Sequence, residues 1–197
     1  YLCLPGHKGL YGPMGTGMLI AADGCELSTL IEGGTGSNSV SLEQPDFMPD
    51  RLESGTVNAP GIAGLYAGIN FVKRRGVSAL YGEETALALR LYDNLVNMGA
   101  VLYTPRPESG FVPVVGFNIG DMPSVEAVSA LDNLGFALRG GLHCSPAAHS
   151  RFNTLSQGMV RASFGAFNSG NEVVLLCSAV KRLLDYKGKV TLNTRQC

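Results

Sequence analysis

The hydrophobic pattern of the chain changes near Pro60. Residues 1 to about 60 are rich in glycine, proline and polar turns, and the apolar run GMLIAA at 17–22 predicts a buried strand. The following segment, PGIAGLYAGINFVKRRG at 60–76, has an initial proline, helical apolar spacing, a basic last turn and a closing glycine, which predicts a helix. The first part contains too few regular elements to enclose a core. We therefore expect it to be the end of a larger domain.

From residue 77 onward, helical and strand-like patterns alternate. Ser124 is the expected N-cap of one helix, with Glu126 in its first turn. The predicted helices are EETALALRLYDNLVNMG, SVEAVSALDNLG and GNEVVLLCSAVKRLLDYKG, and the predicted strands are AVLYTP, FVPVVGFNIG, FALRGGLHC and MVRASFGAF. This order predicts a compact α+β unit over 77–197, with a sheet covered by helices.

Composition and charge exclude several classes of protein. An apolar fraction of 45% and a charged fraction of 16% are typical of a folded chain. A net charge of −1 gives no electrostatic case for a nucleic acid or an anionic membrane partner, and no apolar run approaches the roughly 20 residues of a membrane helix. The five cysteines are scattered without a C-x-x-C pair, which argues against a disulfide framework and a zinc site and favours the cytoplasm; they are Cys3, Cys25, Cys144, Cys177 and Cys197.

Lys8 stands between His7 and a glycine-rich turn in PGHKGLYGPMGTGMLI. A lysine amine forms Schiff bases where burial or a neighbouring cation favours its neutral form. The alternative is a surface lysine in a turn. Nearby, EGGTGSNS at 32–39 and DRLESGTVNAPGIAGL at 50–65 offer backbone N–H groups and hydroxyls to an anion such as phosphate, although neither segment is a P-loop or a dinucleotide fingerprint.

Cys144 follows a strand-like segment in the loop RGGLHCSPAAH, and an exposed loop thiol near cations can be a nucleophile. The alternatives are a small buried residue or a metal ligand beside His143 and His149, which lack a fourth ligand at usable spacing. Arg139 and Arg161 each lie in an apolar stretch. A guanidinium there suits a carboxylate, either of a ligand or of an internal salt bridge.

The order of these motifs resembles the class V aminotransferase family, in its cysteine desulfurase and selenocysteine lyase branch. The motifs run HK-G-x-Y-G-P, E-G-G-T-G, R-x-E-x-G-T-x-N, R-x-G-x-H-C and V-R-x-S, from Tyr1 to about Lys187. The resemblance implies an α/β fold of the PLP-dependent transferase type I (aspartate aminotransferase superfamily). Residues 1–76 would then be the end of the large cofactor domain with an interdomain helix, and 77–197 the small C-terminal α+β domain.

The resemblance also implies residue roles. Lys8, beside His7, would hold pyridoxal 5′-phosphate (PLP) as a Schiff base, and Thr56 would reach the phosphate of the partner subunit's cofactor in a homodimer. Cys144 would attack the sulfur of L-cysteine and carry a persulfide for a sulfur-acceptor protein. Arg161 would bind the substrate carboxylate, with Arg139 as a second arginine on the substrate side.

Two alternatives remain open at this point. The first is a class V aminotransferase or another lyase, because the loop SPAAH resembles a subgroup in which some members are called aminotransferases. The second is a non-catalytic fragment, because the family's ring-stacking aromatic residue and its aspartate precede the lysine. Neither the exact amino-acid substrate nor the sulfur acceptor follows from the sequence. The resemblance implies neither a nucleic acid nor a membrane as a partner.

Overall fold

The computed structural model describes residues 1–24, 26–108 and 110–194, with side chains described as far as Tyr186. Two of the five cysteines, Cys25 and Cys197, lie outside the described residues. The chain divides into two compact units, Tyr1–Gly76 and the residues from Val77 onward. We call them unit 1 and unit 2.

Unit 1 begins with a two-stranded antiparallel sheet. Strand β1 is Leu2–Pro5 and strand β2 is Gly17–Ile20, with Pro5 opposite Gly17. The apolar run at 17–22 predicted β2 as a buried strand, and β1 was not predicted. The strand is present, but its burial was wrong, because Leu19 and Ile20 are 51% and 49% exposed. An apolar run indicates a strand without telling whether anything covers it.

Helix α1, Ala59–Arg75, confirms the predicted helix in unit 1. The side chain of Asn58 caps its first turn, where Oδ1 accepts a hydrogen bond of 3.0 Å from the N–H of Gly61. Pro60 lies in the first turn, where its missing N–H costs nothing, and three basic residues occupy the last turn. The helix ends at Gly76, whose φ of +83° favours glycine.

Small residues on α1 allow the loop between β1 and β2 to approach its backbone closely. A Cβ at Gly64 would come within 2.7 Å of the Pro13 ring, and a Cβ at Gly68 would collide with the carbonyl oxygen of Leu10. A Cβ at Gly12, on the loop itself, would be 2.8 Å from the Leu65 side chain. The sequence IAGLYAG therefore provides the contact surface for the loop that carries Lys8.

Unit 2 is a three-stranded antiparallel sheet with helices packed on it. Its strands, in the spatial order β3-β4-β5, are β3 (Val101–Leu102), β4 (Val114–Asn118) and β5 (Val160–Ser163). Its helices are α2 (Val77–Asn97), α3 (Ser124–Asp132), α4 (Pro146–Arg151) and α5 (Gly170–Thr194). Among the described residues, no helix is long and apolar enough to cross a membrane.

The core of unit 2 joins the sheet to its two long helices. Each of these elements contributes side chains with at most 2% exposure: Val115 and Phe117 from β4, Leu91 and Leu95 from α2, and Val173 and Val180 from α5. A capping box begins α5, because the N–H of Ser169 donates to Glu172 Oε2 at 2.6 Å and the N–H of Glu172 donates to Ser169 Oγ at 3.4 Å. The hydrogen bond from Ser169 holds the pKa of Glu172 below its ordinary value.

Several predicted elements of unit 2 need correction. Helix α2 begins at Val77, six residues before the predicted start at Glu83, and the short helix α4 was not predicted. Ser124 is the first residue of α3, and the N-cap position belongs to Pro123. The predicted strand FALRGGLHC is absent, because residues 136–144 form one isolated bridge and otherwise a loop.

Candidate functional site

The loop that carries Cys144 leaves the sheet because its backbone is left-handed. Gly141, His143 and Cys144 have φ values of +101°, +51° and +58°. Such a backbone cannot continue a strand, and it is costly for residues other than glycine. The strand prediction was therefore wrong, and within 136–144 the pairing is limited to the isolated bridge from Arg139 to Arg161.

Three predicted site residues meet in unit 2. The N–H of Arg139 donates to the Arg161 carbonyl at 3.3 Å, and the N–H of Arg161 donates to the Arg139 carbonyl at 2.8 Å. The Nη2 of Arg139 lies 3.4 Å from the Sγ of Cys144, and the thiol is exposed. The guanidinium therefore donates to a sulfur atom that solvent can reach.

Arg161 has an unused donor. Its Nε is buried and has no hydrogen-bond partner among the described residues. No ion pair is found for Arg139 or Arg161 in the described part of the chain, so the internal salt bridge considered above is not seen there. A buried N–H without a partner is costly, and a ligand carboxylate would satisfy it.

Two histidines flank the cysteine. The Nε2 of His143 is 2.8 Å from the Met159 carbonyl oxygen, and the Nδ1 of His149 is 2.8 Å from Thr154 Oγ1. Their ring centroids are 5.7 Å apart, and His149 is only 3% exposed. Burial lowers the pKa of His143 below its ordinary value of 6.5, and charges on Arg161, His149 and Arg139 lower it further, against the Met159 hydrogen bond, which raises it. The sequence pattern suggested these histidines as alternative metal ligands, and it gave no sign of their contacts with Met159 and Thr154.

Ser124 contacts the backbone of the Cys144 loop. Its Oγ accepts a 3.0 Å hydrogen bond from the N–H of Gly141, and its own N–H donates to the Gln157 carbonyl at 2.8 Å. A Cβ at Gly140 would be 2.6 Å from the Ser124 carbonyl oxygen, so the loop needs glycine there. Because the hydroxyl binds the loop, it does not cap α3, which explains the failed N-cap prediction.

In unit 1, the backbone around Lys8 is held by hydrogen bonds while its amine is exposed. The N–H of Gly6 donates to the Thr16 carbonyl and the N–H of Gly12 to the Gly6 carbonyl, both at 2.8 Å. The N–H of Tyr11 donates to the Lys8 carbonyl at 2.9 Å. The side chains of His7 and Lys8 are both exposed, and no described residue pairs with the Lys8 amine.

The two glycine-rich segments of unit 1 lie against each other. The N–H of Gly55 donates to the Gly34 carbonyl at 3.0 Å, which places the exposed Thr56 next to the EGGTGSNS loop. The side chain of Gln44 forms hydrogen bonds with both segments. Its Oε1 accepts from the Gly33 N–H at 3.2 Å in the first segment, and its Nε2 donates to the Asp50 carbonyl at 2.7 Å in the second. No sequence motif pointed to Gln44.

Candidate residues are thus grouped in each unit. His7, Lys8 and Thr56 belong to unit 1, whereas Arg139, Cys144 and Arg161 form one cluster in unit 2. Within the described ranges, no group of three or more His, Cys, Asp or Glu side chains could hold a metal ion.

Comparison with known proteins places this arrangement in a family. The sequence profile of class-V aminotransferases matches residues 1–176. The chain belongs to the aminotransferase class-V family. This confirms the resemblance stated from the motifs, and the family consists of PLP-dependent enzymes.

Its relatives include cysteine desulfurases. A probable cysteine desulfurase of Pyrococcus abyssi is 32% identical over 191 residues, which are 93% of this chain and 46% of that protein. A cysteine desulfurase of Klebsiella pneumoniae is 34% identical over 184 residues, 90% of this chain and 44% of that protein. The chain spans about half the length of the curated relatives it matches.

Solved structures confirm the fold class. The apo cysteine desulfurase of Thermococcus onnurineus has a TM-score of 0.78 at 28% identity, and a cysteine desulfurase of Escherichia coli has 0.80 at 26%. Each alignment covers 93% of this chain and 46% of the other. The chain therefore has the predicted α/β fold of PLP-dependent transferase type I.

Proposed function

We propose that this chain takes part in the PLP-dependent removal of sulfur from L-cysteine. The observation that carries the proposal is the 3.4 Å contact between Arg139 Nη2 and Cys144 Sγ, on an exposed loop of a class-V aminotransferase family member. Transamination does not require a thiol, so a cysteine held beside a guanidinium favours desulfuration over the aminotransferase alternative.

Unit 1 has groups that suit the cofactor. The exposed amine of Lys8, on a loop held by backbone hydrogen bonds, would bind the aldehyde of PLP covalently with His7 beside it. The exposed hydroxyl of Thr56 and neighbouring backbone N–H groups would bind a phosphate, in the homodimer that of the partner subunit's cofactor. When bound, PLP supplies an electron sink for negative charge at the substrate Cα. On this proposal, 1–76 belongs to the large cofactor domain and 77–197 is the small domain.

Unit 2 has groups that suit the substrate. The buried Nε of Arg161 is an unused donor, and a guanidinium binds a carboxylate through two parallel hydrogen bonds. We assign the α-carboxylate of the substrate to Arg161. Arg139 is the second arginine on the substrate side, where its Nη2 also contacts the Sγ of Cys144.

Sulfur transfer then follows from the chemistry of the thiolate. Cys144 Sγ attacks the sulfur of L-cysteine. An S–S bond forms as the bond between this sulfur and the substrate Cβ breaks, and the electron pair of the broken bond stays with the substrate. Cβ takes a proton to give alanine, and Cys144 is left as a persulfide. A thiol of a sulfur-acceptor protein can remove the outer sulfur. This chemistry requires reduced thiols, and the described cysteines Cys3, Cys144 and Cys177 are free, which supports a cytoplasmic location.

The test of the proposal measures alanine and sulfide from L-cysteine in the presence of PLP and a thiol reductant. We expect Cys144→Ala to abolish the release of both products, because no other group takes the sulfur. Cys3→Ala is the matched control, since Cys3 is also an exposed free thiol, and it should keep the wild-type rate. Full sulfide release by Cys144→Ala would favour another lyase, and consumption of a keto acid at an undiminished rate would favour the aminotransferase alternative.

Cofactor attachment is tested separately from turnover. After incubation with PLP and reduction with borohydride, the peptide containing Lys8 should carry the added mass of the cofactor. Lys73, an exposed lysine in α1, is the control for non-specific labelling. Equal labelling of both lysines, or no label at Lys8, would support the non-catalytic alternative for this chain.

A further inference from the structure

The backbone at Cys144 needs contacts to hold it. His143 and Cys144 are consecutive residues with φ values of +51° and +58°. For residues other than glycine, a left-handed conformation is costly, so it persists only where the surroundings impose it. The contact between Arg139 and Cys144 Sγ depends on this backbone, because the loop turns the thiol back towards residue 139.

The His143 ring connects this loop to the sheet. Its Nε2 lies 2.8 Å from the carbonyl oxygen of Met159, next to the first residue of β5. Because a carbonyl can only accept, Nε2 must carry the proton and donate. In the neutral ring, Nδ1 then has a lone pair, and this atom is buried without a partner among the described residues. A backbone bond from the Met159 N–H to the Gly141 carbonyl, at 3.1 Å, runs beside the His143 contact.

The surroundings of the ring favour this neutral tautomer. A second proton on Nδ1 would be buried without an acceptor, close to Arg139, Arg161 and His149. His149 cannot move away easily, because it is 3% exposed and its Nδ1 is 2.8 Å from Thr154 Oγ1. The His143 ring is therefore held by the Met159 carbonyl, and its neighbours are the buried His149 and two arginines, which disfavour a second proton on the ring.

We propose that His143 is a positioning residue for Cys144, whose Nε2–H bond to the Met159 carbonyl holds the left-handed turn that keeps Sγ beside Arg139. The inference rests on the proposed function for the chemical role of Cys144, but the position and reactivity of the thiol can be measured without turnover. The side chain of His143 touches neither the substrate nor the cofactor in this proposal, and it acts through the backbone of the loop.

The test compares two replacements of His143 by the rate at which iodoacetamide alkylates Cys144 at pH 7, followed by mass spectrometry of the Cys144 peptide. His143→Leu removes the donor to the Met159 carbonyl, so the turn can relax and move Sγ away from Arg139. We then expect alkylation of Cys144 to be about threefold to tenfold slower, the factor that corresponds to the loss of one hydrogen bond. Access is not limiting because the thiol is already exposed. His143→Gln keeps an N–H at a similar distance from the backbone and should stay within about twofold of wild type. Alkylation of Cys3 in the same samples is the internal control.

A double-mutant cycle tests whether His143 acts through Arg139. In an Arg139→Leu background, His143→Leu should slow alkylation no further, because the contact that it maintains is already gone. Additive effects of the two changes, or an unaltered rate in a folded His143→Leu variant, would overturn the proposal. If His143→Leu does not fold, ¹⁵N chemical shifts of the wild-type ring decide, since a proton on Nδ1 in place of Nε2 is incompatible with the proposed bond. If sulfur release fails but these results hold, the proposed function is wrong and the positioning role stands.

Discussion

The two units stabilise their candidate residues in different ways. Among the described residues of unit 1, Leu65 is the one large hydrophobic side chain that is buried, at 6% exposure. Leu30, Val40 and Leu42 are fully or almost fully exposed. Unit 2 has a core of fully buried side chains from its sheet and helices. Unit 1 therefore depends on backbone hydrogen bonds, glycine contacts and the Gln44 amide, and unit 2 on hydrophobic burial.

This difference also separates the two side chains that we propose to be reactive, those of Lys8 and Cys144. The Lys8 loop is held by its own backbone and by the glycine face of α1, so the amine stays exposed on a fixed support. The Cys144 loop has side-chain hydrogen bonds as well, from His143 within the loop and from Ser124 in α3. Substitutions near Lys8 should thus act mainly through backbone clashes, and those of His143 and Ser124 through lost hydrogen bonds.

The largest contrast is expected in stability. Phe117→Ala empties a fully buried position in β4 and should lower the free energy of unfolding by about 3–5 kcal/mol. Leu42→Ala, at a fully exposed position of unit 1, should change it by less than about 0.5 kcal/mol. Urea unfolding followed by circular dichroism measures both, and similar losses would contradict the difference between the units.

Glycine contacts in unit 1 give the next largest effect. Gly68→Ala places a Cβ against the carbonyl oxygen of Leu10 and should destabilise the chain by about 1–3 kcal/mol, through strain and displacement of the Lys8 loop. Gly82→Ala is the matched control, because a Cβ at this helical glycine of α2 meets nothing within 4 Å. It should stabilise the chain by about 0.5–1 kcal/mol through helix propensity. A neutral Gly68→Ala, with Lys8 labelling by PLP and borohydride unchanged, would show that the loop does not need this contact.

One glutamine in each unit joins two segments of the chain, and replacing either should have a smaller effect on stability than the changes above. Gln44→Leu removes the acceptor of the Gly33 N–H, and hydrogen exchange of that amide should become about tenfold faster with little change in global stability. Gln157→Leu removes donors to the Gly120 and Met122 carbonyls, at 2.8 and 3.0 Å, and should cost about 1–2 kcal/mol of global stability. The comparison fails if exchange at Gly33 responds equally to both changes.

The smallest expected effect is a dependence of stability on pH. The pKa of His143 is lower in the folded chain than its ordinary value of 6.5, because burial and nearby cations disfavour the charged ring. The folded state then binds fewer protons than the unfolded state, so its contribution to stability is present above pH 6.5 and declines as the pH falls through the lowered value. His143→Gln should flatten this part of the curve, measured by melting temperature between pH 5 and 8. An unchanged curve would assign the dependence to other groups.

Local patterns predicted much of the fold and most of the candidate residues. The helix α1 followed from Pro60, the apolar spacing and the closing Gly76, which are all local signals. The strand predicted over FALRGGLHC failed because its apolar residues said nothing about the left-handed backbone at His143 and Cys144. Ser124 failed as an N-cap because a glycine 17 residues away, Gly141, takes its hydroxyl.

By itself, the sequence determined the family and the α/β class, and it supplied the candidate site residues, because motifs and helical spacing are local patterns. Tertiary structure decided which of these residues meet. The bridge between residues 139 and 161 and the turn at His143 and Cys144 bring Arg139, Arg161 and Cys144 together. The proposed role of His143 depends on its contact with Met159. Such contacts depend on backbone directions set by distant parts of the chain, and no local pattern of residues specifies them.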